Sequence, residues 1–282
     1  MTSFQEFFGD TIPVAEWVDT AVEKITDTFS WFFDPIKNDF GDFIEGFADL
    51  LAGVPAIIII AIMVVIAFFI SGKRIALPIF TLLGLLFIYN QQLWEQLMFT
   101  FTLVLVSSAI SVIVGIPVGI LMSKSSIAEA IIKPVLDFMQ TMPAFVYLIP
   151  AVVFFGIGMV PGVFASFIFA TPPVVRFTNL GIRQVSNELV EASDAFGATG
   201  NQKLFKVELP MAKTTIMAGV NQTVMLSLSM VVIASMIGAP GLGRDVLSAL
   251  QRSEAGAGFV AGLGIVILAI IIDRITQNLN KD

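Results

Sequence analysis

Long charge-free apolar runs recur along this chain, and they fix what it can fold into. A helix needs about 20 apolar residues to cross a bilayer, because every backbone N–H and C=O must be paired internally where no water is available. Residues 50 to 72, between Asp49 and Lys73, carry no charge, and neither do residues 75 to 94, between Arg74 and Glu95. Residues 96 to 123 form a third run. Residues 138 to 175, between Asp137 and Arg176, are too long for one helix and predict two, turning at Gly156, Gly158, Pro161 and Gly162. Residues 214 to 243 and 255 to 272 complete the set. The pattern predicts an all-α polytopic membrane protein with about seven transmembrane helices. A mean hydropathy of +0.91, with 56% hydrophobic and 13% charged residues, lies outside the range of soluble domains.

Lys and Arg concentrate in cytoplasmic loops, so their distribution orients the spans. With the N-terminus outside and the C-terminus in the cytoplasm, eleven of the fifteen, from Lys73 to Lys281, face the cytoplasm; only Lys24, Lys37, Arg244 and Arg252 lie outside. The sequence contains no Cys and no His, which removes disulfides, thiol nucleophiles, imidazole bases and Cys or His metal ligands.

The acidity is local. Residues 1 to 50 hold 11 acids and 2 lysines. Within them Val14, Val18, Ile25, Phe29, Phe32, Ile36, Phe40, Phe43 and Phe47 recur at mostly three- or four-residue steps, predicting an amphipathic interfacial helix broken near Pro35. Its acidic polar face suits the outer surface better than an anionic cytoplasmic leaflet, and its simplest role is a collar that braces the bundle. No cleavable signal pattern is expected there, since acids stand where a basic segment belongs. The chain thus divides into an acidic segment (1–50), two peripheral spans (51–94) and a core (95–278).

The one long hydrophilic stretch between spans runs from 183 to 213. Ser186 is placed to cap a helix carrying Leu189, Val190, Ala192, Ala195 and Phe196; Gly197 is placed to stop it; a second short helix should run through Leu204, Phe205 and Val207 until Pro210. A small helix-turn-helix is therefore predicted to project from the membrane.

In that projection the sequence reads Glu191-Ala192-Ser193, three residues, Gly197, nine residues, Val207, one residue, Leu209-Pro210. This closely resembles the EAA loop of ABC importer permeases, with Ser193 for Ala and Val207 for Ile as the departures. The stretches Asp137 to Tyr147, Phe205 to Pro210 and Gly238 to Gly243 look like the glycine betaine and proline betaine permeases. The resemblance implies the type I importer permease fold and uptake of compatible solutes for osmoprotection. It also implies a homodimer of permeases, two cytoplasmic ATPase subunits, often with CBS domains, and an extracellular substrate-binding protein. Glu191, Ala192, Ser193, Gly197, Val207, Leu209 and Pro210 would then form the ATPase-coupling loop. Physically, a short helix with an apolar stripe can lie in a groove of a soluble partner, and a glycine turn fixes its angle to the spans.

For a solute path the middle spans offer uncharged polar groups and helix-breaking prolines: Gln140, Thr141, Pro143 and Tyr147; Pro172 and Pro173; Asn221, Gln222, Ser227 and Ser229. For each of them, helix packing competes with solute contact. A quaternary-ammonium solute would draw most of its affinity from aromatic faces, a demand best met in the binding protein. Gly72-Lys73 lacks the upstream glycine and following Ser or Thr of a phosphate loop, so ATP binding belongs to a partner; this chain is expected to be no enzyme and to hold no cofactor, metal or nucleic acid. An ion-coupled secondary transporter is the distant alternative, disfavoured because the middles of the predicted spans carry no ionisable group. Choline, carnitine or a proline-like solute is the nearer one.

Overall fold

The computed structural model describes residues 13–72 and 74–278. Lys73, Lys281 and residues 1–12, on which the charge count and the acidic segment drew, lie outside that range. Every regular element among the described residues is helical.

The acidic head is two helices, α1 (Val14–Thr28) and α2 (Ser30–Gly53), which part at Phe29 and not near Pro35. Pro35 lies exposed inside α2, where its ring removes one helical hydrogen bond. Tertiary packing offsets that loss, because α2 buries Gly41, Ile44 and Ala48 against the bundle, whereas α1 buries nothing. At Val54 and Pro55 the chain turns extended and bends by 96° into α3 (Ala56–Ile70). Helix α4 (Ala76–Asn90) follows. Both α3 and α4 have 15 residues, about 22 Å at 1.5 Å per residue.

Helix α5 (Trp94–Lys124) is followed by α6 (Ser126–Thr141), capped by the Ser125 hydroxyl, which accepts from Ala128 N–H at 3.2 Å. The run from 138 to 155, expected as one helix, is bent by 111°: Met142 and Pro143 are extended, and a 3₁₀ turn (Ala144–Tyr147) leads into α7 (Leu148–Phe155). The turn falls at Gly156 and Gly158, both at positive φ, whereas Pro161 and Gly162, expected to share it, lie buried in the first turn of the next helix. Then come α8 (Met159–Arg183), α9 (Asn187–Ala195), α10 (Gly200–Ser235), α11 (Leu242–Arg252) and α12 (Ala255–Asn278). Helices α5, α8, α10 and α12 are each long and apolar enough to cross a bilayer. Counting each bent pair (α2–α3, α6–α7) as one span raises the number to six, and α4 is a shorter apolar helix. The expected span 214–243 stops at Ser235, and the last span extends past residue 272 to take in Asp273.

The core is organised on α8, whose apolar stretch is 67% buried, against 39% in α5, 44% in α10 and 28% in α12. Helix α8 lies between α5 and α10. Ser111 of α5 donates to the Phe167 carbonyl of α8 at 3.2 Å. At Gly119 the two backbones approach so closely that an added Cβ would stand 2.5 Å from Thr178 Cβ and 2.6 Å from the Val175 carbonyl oxygen. Gly219 of α10 meets Phe177 in the same way. Small residues at such crossings let helices gain dispersion contact where lipid supplies no hydrophobic drive for pairing.

We expect Gly119→Ala to lower the thermal midpoint of the detergent-solubilised protein, at a cost of about 1–3 kcal/mol for overpacking against backbone. Gly46→Ala, where nothing lies within 4 Å of an added Cβ, should instead raise it slightly, by about 0.5–1 kcal/mol of helix preference. Equal midpoints for the two variants would contradict the seam.

Candidate coupling loop and solute path

The hairpin between α8 and α10 is built from local rules. Ser186 sits at the N-cap position of α9 with extended backbone, but its hydroxyl caps nothing; its carbonyl accepts from Leu189 at 3.1 Å and Val190 at 3.3 Å. Glu188 lies in the first turn, where the helix dipole favours an acid. The C-terminal end has the Schellman pattern: Ala198 N–H donates to Ser193 C=O at 3.0 Å and Gly197 N–H to Asp194 C=O at 2.9 Å. Gly197 carries the φ of +76° that this cap demands. Thr199 and Gln202 then form a reciprocal capping box that starts α10. Lys203 reaches across the turn to Asp194 at 2.8 Å.

Pro210 does not end the second helix, contrary to the sequence expectation. Residues Leu204–Glu208 form a π turn, in which Leu209 N–H donates to Leu204 C=O, and α10 continues unbroken to Ser235. The wider turn shifts the hydrogen-bond register just ahead of the proline, where an ordinary helix would meet its ring and missing N–H as a defect.

The structure therefore gathers Glu191, Ala192, Ser193 and Gly197 on α9 and its cap, and Val207, Leu209 and Pro210 at the base of α10. Glu191, Ala192, Gly197 and Pro210 are exposed, while Ser193, Val207 and Leu209 are half-buried. No residue of α9 is buried. Phe196 stands 93% exposed at the tip and Phe205 65% exposed in the π turn. Among the described residues nothing covers either ring.

The path candidates separate into two environments. Gln140, Thr141 and Pro143 are exposed at the α6 bend. Tyr147 is buried, with its hydroxyl donating to the Met139 carbonyl across that bend. Pro172 and Pro173 are buried in α8. On α10, Ser227 is buried with its hydroxyl unpartnered, whereas Gln222 and Ser229 are exposed and Ser229 donates to Met225 C=O at 3.0 Å. Asn221 is half-buried and donates from Nδ2 to Asp273 of α12 at 3.0 Å. That carboxylate, which also accepts from Gln277 at 2.8 Å, was missed because it falls one residue beyond the last charge-free run.

The chain belongs to the family of binding-protein-dependent transport system inner membrane components, whose pattern matches residues 111–282. It is 59% identical over 273 residues to the glycine betaine/carnitine transport permease protein GbuB of Listeria monocytogenes, with 96% of each chain covered. It is 52% identical over 268 residues to the glycine betaine transport system permease protein OpuAB of Bacillus subtilis, covering 95% of this chain and 94% of that one. With the glycine betaine/proline betaine permease protein ProW of Escherichia coli the identity is 48% over 276 residues, covering 98% and 77%. In three dimensions it resembles the inward-facing MetNI methionine ABC transporter in its CY5 native crystal form. The TM-score is 0.60 at 22% identity, over 67% of this chain and 94% of that one, and this likeness shows the fold. The chain is a multi-pass, all-α permease.

We expect Gly197→Val to open the turn, because a β-branched residue at positive φ costs about 1–3 kcal/mol. Hydrogen exchange should speed up across 187–203 while the thermal midpoint of the bundle stays unchanged. Gly197→Asn, which tolerates this φ, should exchange like the native protein; equal exchange in the Val variant would remove the turn from the argument.

Proposed function

We propose that this chain is the membrane-spanning subunit of an ATP-binding cassette importer that takes up glycine betaine or a related quaternary-ammonium solute. The observation that carries the coupling half of this reading is the hairpin. It has the EAA spacing, a rigid double cap, and exposed aromatic rings, Phe196 at the tip and Phe205 in the π turn, that no described residue covers. Such a tip is suited to a groove in a soluble ATPase. The solute class rests on relatives whose names specify glycine betaine over nearly the whole of this chain. Carnitine is the second reading, because the name of the Listeria relative includes it.

In this reading two copies of the chain join two cytoplasmic ATPase subunits, which carry CBS domains, and an extracellular binding protein. ATP is bound and hydrolysed by the partner, and no cofactor or metal is held here. The N-terminus lies outside, and the hairpin and C-terminus lie in the cytoplasm of a bacterium. Glu191 to Pro210 take up motion from the ATPase. The polar groups around the α6 bend and along α10 are the candidates for the solute path.

The test is reconstitution in liposomes with the ATPase and the binding protein. ATP-dependent uptake of labelled glycine betaine, competed by unlabelled betaine more strongly than by carnitine, is the expected result; uptake without ATP would sink the importer reading. Phe196→Ala should reduce copurifying ATPase about tenfold or more, as loss of an aromatic anchor does, with the permease still folded. For topology, single cysteines at Glu23 and Asn201 should give labelling by an impermeant thiol reagent at Glu23 alone in intact cells; labelling at Asn201 alone would reverse the orientation.

A further inference from the structure

Both roots of the hairpin are tied to one corner of the bundle. At the first root, Arg183 donates from Nη2 to the Met122 carbonyl at 3.0 Å, in the last turn of α5, and the same nitrogen meets Glu129 Oε2 at 2.7 Å, in the first turn of α6. Its Nε donates to Asn179 Oδ1 at 3.0 Å, which fixes the guanidinium on α8. At the second root, Glu208 lies in the π turn, only 5% exposed, and pairs with Lys124, the final residue of α5. Opposite ends of the hairpin, 25 residues apart in sequence, thus converge on residues 122–129.

A nearly buried carboxylate is costly unless its partner is held in place, so this one constrains geometry more than it adds stability. The apolar side of the joint agrees. Leu204 at the start of the π turn and Leu209 just after it pack against the buried cluster of Ile182, Ala212 and Ile216, against which Ile116 and Ile120 of α5 also pack. By contrast, the named polar contacts further out, the Schellman cap, the capping box and Asp194–Lys203, are internal to the hairpin. A π turn inside an α-helix is also a feature found frequently at functional sites.

We propose that Lys124 and Glu208, supported by Arg183, are positioning residues that pass movement of the hairpin to α5, and through the Gly119 contact to α8, so that ATP hydrolysis and solute passage stay in step. This rests on the hairpin being the ATPase-docking element. Glu208 and Lys124 touch neither nucleotide nor solute; they act by holding the end of α5 to the loop.

The test uses the complete reconstituted complex, with three readouts in one preparation: copurified ATPase, solute-stimulated ATP hydrolysis, and solute taken up per ATP. The variants are Lys124→Glu, Glu208→Lys, the double exchange, and Glu208→Gln, which keeps the shape if a reversed charge prevents folding. The single variants should retain the ATPase and hydrolyse ATP while solute per ATP falls about tenfold, and the double exchange should recover most of the loss. Unchanged solute per ATP in Glu208→Gln would overturn the proposal. So would a loss of copurified ATPase in the single variants, since that would make the pair a support for the docking surface. Failure of the native chain to retain any ATPase would instead remove the docking reading on which the proposal stands.

Discussion

Close backbone contact of α8 with α5 on one side and α10 on the other is the constraint from which the rest of the architecture follows. Lipid chains are as apolar as leucine, so helices in a bilayer gain little by hiding apolar surface from one another and must gain it from contact distance. Gly119 and Gly219 supply that distance, and the Ser111 hydroxyl adds a hydrogen bond across the first seam. Substituting bulk at either crossing pushes on backbone or on an aromatic ring, not on a mobile side-chain end. Helix α8 can therefore carry two consecutive prolines, Pro172 and Pro173, fully enclosed. Neighbouring helices hold the segment whose own hydrogen bonding the prolines weaken.

Helices α8 and α10 are also fastened at their ends. The hairpin joins them at one end. At the other, Gly158 N–H, just before α8, donates to the Ile237 carbonyl, just after α10, at 2.9 Å. Further round, Leu242 N–H donates to Thr100 Oγ1 at 2.8 Å, tying the start of α11 to α5. A displacement of the hairpin is thus applied to a braced three-helix unit and is not absorbed in a flexible connection. Helix α2 lies outside this unit, joined to it through Gly41, Ile44 and Ala48 and through the edge-on contact of Phe40 with Phe164 of α8, and joined to α7 by Phe33 stacked on Phe154 at 4.8 Å.

The membrane class and the hairpin were legible in the sequence because each depends on local order: apolar run length in one case, glycine and cap placement in the other. The glycines at 156, 158 and 197 fulfil their expected turns for the same reason. The prolines misled. Pro35 and Pro210 were read as helix ends, yet the first is carried by tertiary packing and the second by a π turn whose presence leaves no mark on composition. Pro143 stands among the helix-breaking prolines of the solute path, yet the charge-free run counts 138–155 as one helix although Met142-Pro143 bends the chain by 111°, since an apolar count cannot sense an extended pair. The Lys124–Glu208 and Arg183–Glu129 pairs were likewise invisible, because charges 84 and 54 residues apart share no period and meet only after the helices have packed. Residue type alone marks out the path candidates in the sequence. Burial now separates Ser227 from Ser229, two residues apart on α10 and about 200° apart around its axis at 3.6 residues per turn.

The central claim is that the hairpin and the α5–α6 corner move as one body. The native chain has no cysteine, so spin labels at Asn201 and Ile127, both exposed, can report their separation by pulsed electron resonance in complexes diluted with unlabelled permease. The distance distribution should be the same in the nucleotide-free and the ATP-trapped complex, while the distance between Asn201 labels on the two copies changes. A shift of the Asn201–Ile127 distance on trapping would show that the hairpin swings free of the corner and would contradict the account.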